Sequence, residues 1–229
     1  MKKFLTKFLL VLAIGFTLLQ SCSKKDDNTT SSPINSNFQT VTIATQTWML
    51  KNLDVDHYRN GDPIPQVTDP SVLQALTTGA WCYYNNDPAN EAIYGKLYNW
   101  YAVNDSRGLA PTGFHVPTST EWGTLINFLD PTANGGTSIN NVAGDKMKAT
   151  TGWASYSGIT NTNSSGFTGL PGGEFNGPFY GITYGGYWWS SSEYSSTSAW
   201  MCALNYYNSI AYKNVSNMPS CFSVRCLRD

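Results

Sequence analysis

The clearest alternation of apolar and polar residues lies in the segment VTIATQTWML, residues 41–50. Val41, Ile43, Thr45 and Thr47 are separated by single residues throughout this stretch. A period of two places such positions on one side of an extended chain. The segment therefore predicts an opening β-strand.

A helical period is clearest in VPTSTEWGTLINFLD, residues 116–130. Pro117 precedes Thr118, and Glu121 follows three positions later, which is the pattern of a capping box at a helix N-terminus. The apolar residues then recur at spacings of three and four, as on one side of a helix: Trp122, Leu125, Ile126 and Leu129. We expect a helix whose apolar stripe belongs to the core.

Two further segments predict shorter helices. GKLYNWYAV, residues 95–103, has aromatic residues that also suit a strand, but we expect a helix because four of its residues have helical spacing. These residues are Leu97, Tyr98, Tyr101 and Ala102. GDKMKAT, residues 144–150, is long enough for one or two short helical turns.

From Gly166 onward, the pattern changes to short apolar pieces broken by glycine. Strand and turn signals follow at close intervals in GFTGLPGGEF, GPFYGITYGGYWWSSSEY, SAWMCALNYYNS, IAYKNV and CFSVRCLRD. The sequence therefore predicts an α+β domain with two main helices in its first half. An irregular, loop-rich antiparallel sheet is expected in its second half, and no internal repeat is visible.

The N-terminus has the pattern of a secretory signal peptide over residues 1–21, with early lysines, an apolar run over residues 8–19 and the small residue Ser21. The apolar run is too short to predict a membrane span. The sequence LQSC resembles a bacterial lipobox, in which Cys22 is acylated and becomes the first residue of the mature chain. The alternative is an ordinary signal peptide cut near Ser21.

Residues 22–39 predict an acylated Cys22 followed by a flexible tether, because this stretch is polar and can bury little apolar surface. Within it, SKKDDN resembles the signal that sends lipoproteins of Bacteroidetes to the outer face of the outer membrane; an inward-facing periplasmic anchor is the alternative. Residues 40–229 are expected to form one domain. The predicted location is therefore the outer membrane, contacted through the lipid anchor and exposed at the cell surface.

Composition narrows the classes of partner. Charged residues make up 13% of the chain and the net charge is −1, so no basic surface for nucleic acid is predicted. Aromatic residues make up 14%, with eight Trp and fourteen Tyr. Neutral surfaces rich in Tyr, Ser, Asn and Gly are typical of secreted binding modules, because Tyr offers contact area at low entropic cost. Many of the rings are nevertheless expected in the core.

Besides Cys22, the chain has four cysteines: Cys82, Cys202, Cys221 and Cys226. In an oxidising compartment an even number suggests disulfides, although four cysteines allow three connectivities. We expect at least one bridge, and the pairing to test is Cys202 with Cys221 and Cys82 with Cys226.

Five segments carry a family resemblance by their order and spacing: GKLYNWYAV, APTGFHVPTSTEWGTLINFL, GFTGLPGGEF, YWWSSSEY and FSVRCLRD. Over nearly all of residues 40–229 the chain resembles the Fibrobacter succinogenes major paralogous domain. That family is similar in fold to formylglycine-generating enzymes and C-type lectin-like domains. The resemblance implies a C-type-lectin-like fold in which the first and last strands meet and an irregular region presents the ligand face. It also implies that Glu121 is a structural cap and Trp122 a core anchor.

The same resemblance bears on catalysis. Formylglycine-generating enzymes hold copper with two thiolates five residues apart, and soft thiolates suit copper(I). When WMC is aligned with the first copper-binding cysteine of these enzymes, Cys202 matches that cysteine. The second copper-binding position, five residues later, is then occupied by Tyr207. Cys221 and Cys226 have the same separation, but the resemblance implies that Cys226 belongs to the terminal segment, which in that enzyme group is a structural strand rather than the copper loop. We therefore expect no catalytic residue, no metal and no cofactor; a degenerate copper-dependent oxidase that uses Cys202 with another ligand is a remote alternative.

Other metal sites have weak signals. His57 and His115 are the only histidines, and neither has zinc-ligand or triad-like spacing. His115 is expected to be a hydrogen-bonded structural residue at the helix start. YYNNDPANE is an oxygen-rich loop that could hold calcium, although a loop of Asx turns is the default interpretation. Its oxygen-bearing residues are Asn85, Asn86, Asp87, Asn90 and Glu91.

Because the pair of copper-binding thiolates is missing, the function that remains is recognition of a ligand. The candidate ligand-binding face is the segment between YWWSSSEY and FSVRCLRD. We predict that Trp200, Asn205, Tyr207 and Tyr212 contact the ligand. Alternate residues of a strand face opposite sides, so only part of this segment can share one face. Tyr206 takes the place of Tyr207 if the alternation is displaced by one residue.

The expected function is that of a surface-anchored lipoprotein whose non-catalytic, lectin-like domain binds a glycan or a protein. The alternative is a structural or adhesive envelope protein that packs with copies of itself or with other lipoproteins. Residues 200–218 also resemble the variable region of proteins diversified by retroelements, but a low-complexity surface strand has the same appearance.

Overall fold

The computed structural model describes residues 38–229. Residues 1–37, which include the predicted signal peptide, Cys22 and nearly all of the predicted tether, lie outside the described residues. Among the described residues, no helix has the length and apolar character needed to cross a bilayer. Phe38 packs edge-on against Phe114 with ring centroids 5.6 Å apart. Phe38, which the sequence assigns to the tether, therefore packs on the folded domain.

Within residues 38–229 the fold is α+β, with two sheets and mostly short helices. The strands are β1 (Thr40–Ile43), β2 (Gln46–Met49), β3 (Trp81–Cys82), β4 (Leu97–Asn99), β5 (Phe114–His115), β6 (Gly172–Phe175), β7 (Phe179–Ile182), β8 (Gly185–Ser195), β9 (Ser198–Asn205), β10 (Ala211–Asn217), β11 (Cys221–Phe222) and β12 (Leu227–Arg228). The helices are α1 (Pro70–Ala75), α2 (Glu91–Tyr94), α3 (Trp100–Val103), α4 (Ser119–Leu129) and α5 (Ala143–Met147).

The opening segment forms a hairpin instead of the single strand that its alternation predicts. β1 and β2 pair antiparallel, from Thr40 opposite Met49 to Ile43 opposite Gln46. At the turn, Ala44 has a φ of 53°, a left-handed conformation that a β-strand does not contain. The prediction was wrong in this respect because the chain reverses in the middle of the alternating stretch.

This hairpin belongs to a four-stranded sheet of order β1-β2-β12-β5. Leu227 of β12 lies opposite Trp48 of β2 and, on its other side, opposite His115 of β5. The C-terminal strand therefore closes onto this hairpin through β2, and it does not pair with β1, the first strand.

The predicted helix within residues 116–130 is α4, and its capping box is formed. The Glu121 N–H donates to Thr118 Oγ1 at 3.2 Å, and the Thr118 N–H donates to Glu121 Oε2 at 2.7 Å. These two bonds satisfy donors that a helix start leaves free. The apolar stripe is buried and faces β8, β9 and β10, which confirms this part of the prediction.

The segment of residues 95–103 is only partly helical. Its first half forms β4, which pairs with β3 and β11, and its second half is the single turn α3, where Asn99 Oδ1 accepts the Ala102 N–H at 3.1 Å. Tyr98 is fully buried in the strand and donates to the Val55 carbonyl at 2.7 Å. The expected pair of main helices is therefore one longer helix, α4, and several short ones.

The second half of the chain forms the expected glycine-broken sheet. Its strand order is β10-β9-β8-β6-β11-β4-β3, with β7 paired to β6. The pairing of β6 with β8 is parallel, and the other pairings in this sheet are antiparallel. The long ribbon β8–β9–β10 carries the candidate site at the end where β8 begins.

A buried arginine ties the C-terminal segment to the core. Arg225 donates to Asn52 Oδ1 from Nε at 3.0 Å and from Nη2 at 2.8 Å. Its Nη1 donates to the carbonyls of Met49 and Phe167 at 3.2 and 2.8 Å. Trp188 Nε1 donates to the same Asn52 oxygen at 2.8 Å. The guanidinium has no carboxylate partner among the described residues, and burial lowers the pKa of Arg225 to about 9.

Candidate functional site

Four tyrosines form a cluster at one end of the β8–β9–β10 ribbon. Tyr156, Tyr184 and Tyr207 have exposed fractions of 50%, 49% and 49%. Their rings meet around Tyr206, whose ring is partly buried. Its centroid lies 5.6 Å from that of Tyr156, 4.9 Å from that of Tyr184 and 5.5 Å from that of Tyr207, all in edge-to-face geometry. We call these four residues the tyrosine surface.

The tyrosine surface is assembled from three separate segments. Tyr184 lies in the turn between β7 and β8, and Tyr206 and Tyr207 lie in the turn between β9 and β10. Tyr156 belongs to the loop between α5 and β6. The Tyr206 N–H donates to the Tyr184 carbonyl at 2.9 Å. This bond joins the two turns, so the rings rest on a connected backbone.

A buried lysine holds the turn between β9 and β10. The Lys148 ammonium donates to the carbonyls of Asn205 at 3.2 Å and Asn208 at 2.7 Å. It also lies 3.1 Å from the Asp145 carboxylate. Burial lowers the pKa of Lys148, and the carboxylate opposes that shift. Because one ammonium binds carbonyls on both sides of Tyr206 and Tyr207, it restrains the backbone that carries their rings.

Beside the tyrosine surface, side chains from successive strands form a row across one sheet face. Glu174 of β6 lies opposite Tyr180 of β7. β6 pairs with β8 in parallel at Gly173 and Gly186, the residues just before Glu174 and Tyr187, and the Glu174 charge acts on Tyr187. Tyr187 and Tyr212 of β10 both lie opposite Ala203 of β9. We call Tyr180, Glu174, Tyr187 and Tyr212 the tyrosine–glutamate row.

The structure brings together three of the four predicted ligand residues. Asn205 Nδ2 donates to the Tyr212 hydroxyl at 2.9 Å. Burial raises the pKa of Tyr212, the Asn205 bond opposes the rise, and the nearby Tyr207 hydroxyl adds to it. Tyr206 and Tyr207 lie in a turn, so strand alternation does not choose between them, and both belong to the surface.

Trp200 lies on the other face of β9. Strand alternation places Trp200 and Cys202 toward α4 and places Asn205 toward the tyrosine–glutamate row. The Trp200 ring centroid is 5.2 Å from that of Tyr194 and 5.8 Å from Lys213 Nζ. Trp200 therefore does not share a surface with Asn205, contrary to the prediction that groups them, because an odd number of positions separates the two.

Comparison with known proteins places the chain in a family. The family model described as the Fibrobacter succinogenes major domain matches residues 41–228. The chain belongs to the Fibrobacter succinogenes major domain family. No curated protein and no solved structure matches it. The matched range includes α4, both sheets, the tyrosine surface and the tyrosine–glutamate row.

In this Fibrobacter succinogenes major domain, the four cysteines of residues 38–229 are free and buried. Cys202 lies in the apolar cluster beneath α4, Cys226 lies in the largest cluster, and Cys82 and Cys221 lie in a third. The expected pairing of Cys202 with Cys221 and Cys82 with Cys226 is not formed, because the members of each pair belong to different clusters. Cys82 and Cys221 instead share one cluster, where burial raises the pKa of Cys221 and Cys82 adds to the rise.

The position aligned with a copper ligand does not resemble a metal site. Cys202 is fully buried, and burial raises its pKa to about 12. Tyr207, aligned with the second ligand, is exposed on the turn. Residues 38–229 contain no group of three or more His, Cys, Asp and Glu side chains arranged to hold a metal ion.

His115 has the structural role that the sequence predicts. Its ring lies in hydrogen-bond contact with Asp229 at 2.8 Å and with Glu121 at 3.0 Å. Burial lowers the pKa of His115, but these two carboxylates outweigh that effect and raise it. The imidazole thereby connects β5, the start of α4 and the C-terminus.

The oxygen-rich loop uses its side chains to stabilise its own turns. Asp87 Oδ1 accepts the Ala89 N–H at 2.9 Å, and Asn90 Nδ2 donates to the Tyr84 carbonyl at 2.9 Å. Glu91 pairs with Lys96. These contacts fit the interpretation of the loop as a series of capped turns.

Several site residues were missed by sequence reasoning. Tyr184 and Tyr187 lie in the glycine-broken segment ITYGGYWW, where their closeness to turn glycines was a usable signal. Glu174 lies in a similar segment, GLPGGEF. Tyr156 and Lys148 had no comparable signal, because their contacts are with residues far away in the sequence.

Proposed function

We propose that this domain is a non-catalytic, lectin-like module that binds a glycan or a protein through the tyrosine surface and the adjoining row. The observation that carries the proposal is that three tyrosine rings are about half exposed yet braced by edge contacts around Tyr206. Rings held in this way lose little conformational freedom when a ligand covers them. Flat rings beside the Asn205 amide suit sugars as well as protein surfaces.

A C-type-lectin-like fold is part of the proposal. It is supported by the closure of β12 onto the N-terminal hairpin and by the ribbon β8–β9–β10, whose turns present the exposed rings.

Binding without catalysis is supported by the state of the thiols. Burial raises the pKa of Cys202 and that of Cys226 to about 12, so both thiols are protonated at neutral pH. Copper coordination and nucleophilic attack both require the thiolate. The Cys202 side chain also faces α4, away from the tyrosine surface.

A glycan array tests the binding proposal. The full chain, Tyr207→Ala and the control Tyr194→Ala are compared with calcium and with chelator. Tyr194 is 59% exposed but packs on Trp200 at the opposite face. We expect Tyr207→Ala to weaken a hit about tenfold, equal to about 1.4 kcal/mol, with Tyr194→Ala and chelator neutral. If no glycan binds, or both variants behave alike, the glycan proposal fails, and pull-down from intact cells tests protein ligands and the envelope-structural alternative.

We also propose that the chain is an outer-membrane lipoprotein anchored through Cys22 and displayed on the cell surface. The proposal rests on the LQSC and SKKDDN patterns. Cys22→Ser should abolish incorporation of labelled palmitate and release the protein from the membrane fraction. Protease added to intact cells should digest the wild-type protein if it faces outward. Retained palmitate label in Cys22→Ser would refute the anchor.

A further inference from the structure

Glu174 is a carboxylate without a partner at the edge of the candidate site. It is partly buried on β6, and within residues 38–229 its oxygens take part in no hydrogen bond or ion pair with another side chain. Burial alone raises the pKa of Glu174, and no cation opposes this shift. A carboxylate that loses hydration without gaining a hydrogen-bond donor lowers the stability of the fold. A ligand with a positive charge beside Glu174 would offset this cost.

Two aromatic rings flank this carboxylate. Tyr180 lies opposite Glu174 on β7 and is 65% exposed. Tyr187 directly follows the Gly173–Gly186 pair on β8, is partly buried and lies within reach of the Glu174 charge. Burial is the largest cause that raises the pKa of Tyr187, and the Glu174 charge is the second. The hydroxyls of Tyr212, Tyr180 and Tyr207 raise it further. The groups that act on Tyr187 are therefore Glu174 and tyrosine hydroxyls, with no cation among them.

The Tyr187 ring is fixed by glycines. A Cβ added at Gly185 would overlap the Tyr187 hydroxyl, and one added at Gly181 would lie 3.5 Å from its ring. The ring also packs on Phe222, with centroids 5.9 Å apart. The absence of side chains at these two positions lets the ring lie against the β7–β8 turn, close to Glu174. The Tyr187 ring is therefore in place before a ligand binds.

A carboxylate between tyrosine rings has the chemistry of a receptor for an organic cation. The negative charge attracts a cation at short range, and the faces of aromatic rings attract the same cation through their quadrupole. A neutral sugar hydroxyl would use the carboxylate as a hydrogen-bond acceptor but carries no full positive charge for the ring quadrupole to attract. The arrangement of Glu174, Tyr180 and Tyr187 therefore favours a positively charged group.

We propose that Glu174, Tyr180 and Tyr187 bind a substituted ammonium group of the ligand. This inference rests on the proposed binding function. It adds that the ligand of this site carries a positive charge. An amino sugar and a choline-type headgroup both carry this chemistry.

Two matched pairs of probes test the inference on the full chain by NMR titration of the tyrosine ring signals. Choline is compared with its neutral carbon isostere 3,3-dimethylbutan-1-ol, and the tetramer of glucosamine is compared with the tetramer of N-acetylglucosamine. We expect at least one cationic probe to bind about tenfold more tightly than its neutral counterpart. The pair that shows this preference identifies the source of the ammonium group.

The test variant is Glu174→Gln, which removes the charge and keeps the shape of the side chain. The control variant is Glu193→Gln, because Glu193 is an acidic residue of β8 at the end away from the tyrosine surface. Glu174→Gln should abolish the preference for the cation, whereas Glu193→Gln should retain it. Equal binding of charged and neutral probes, or no binding of either cation, overturns the inference. Neutral glycans that bind in a Tyr207-dependent and Glu174-independent manner would keep the proposed function and refute the ammonium site alone.

Discussion

Replacement of Asn52 by alanine should destabilise the domain strongly, because Asn52 is the acceptor for a buried charge. Its Oδ1 accepts two bonds from Arg225 and one from Trp188, and its Nδ2 donates to the Tyr94 carbonyl at 2.8 Å and to Ser223 Oγ at 3.1 Å. Without the amide, the guanidinium keeps only backbone carbonyls, in a site with no exposed surface.

The magnitude follows from the cost of leaving a buried charge with too few partners. Removing one member of a buried charged network costs about 3–5 kcal/mol, which is a large part of the roughly 5–15 kcal/mol that stabilises a typical domain. Arg225→Met removes the charge itself and leaves two carbonyls unpaired, so we expect a smaller loss of about 1–3 kcal/mol. The double variant should be more stable than Asn52→Ala alone, because the uncompensated charge is then gone.

Urea unfolding followed by tryptophan fluorescence measures these free energies. The chain has eight tryptophans, and Trp122 and Trp188 are fully buried next to this network. Asn140→Ala is the control, since Asn140 is exposed and its side chain makes no hydrogen bond among the described residues. Its effect should stay within about 0.5 kcal/mol.

Two results would refute the reasoning. The first is a loss below about 1 kcal/mol for Asn52→Ala, which is less than the typical cost of an unpaired buried group. The second is strict additivity in the double variant, because additivity would show that Asn52 and Arg225 do not depend on each other.

Two further predictions concern a buried thiol beneath α4 and the buried lysine that holds the turn between β9 and β10. Burial raises the pKa of Cys202 to about 12 from an ordinary value of 9.0. Between these two pH values the unfolded chain loses the thiol proton and the folded chain keeps it. The free energy of unfolding therefore falls as the pH rises from about 9 to 12. Cys202→Ala should make the urea midpoint less dependent on pH over that range, and an unchanged dependence would contradict the assignment. Lys148→Met should leave two turn carbonyls unpaired, cost about 1–3 kcal/mol and speed hydrogen exchange at residues 206–210 while β8 exchanges as before. Unaltered exchange at the turn would show that Lys148 does not restrain it.

Local sequence was sufficient where the partners are close along the chain. The capping box of α4 joins Thr118 and Glu121, three positions apart, and the apolar stripe after it has only one amphipathic solution. The glycine-broken strands of the second half were predictable for the same reason, since turn residues act on their own backbone.

Local sequence was insufficient where two periods fit equally well. The segment of residues 95–103 satisfies a helical spacing, yet its first half pairs with β3 and β11. The pairing lets Tyr98 be buried with its hydroxyl bonded to Val55. Such pairing depends on strands far away in the sequence, so a window of nine residues does not contain the deciding information.

The sequence by itself determined the family, the α+β class, α4 and the amide-rich segment that contains Asn205, Tyr207 and Tyr212. Only the tertiary structure decided that Trp200 faces away from them and that Tyr156 completes the tyrosine surface. The physical reason is that composition and spacing specify backbone preferences over a few residues. Which side chains share a face is set instead by strand register and by burial against segments distant along the chain.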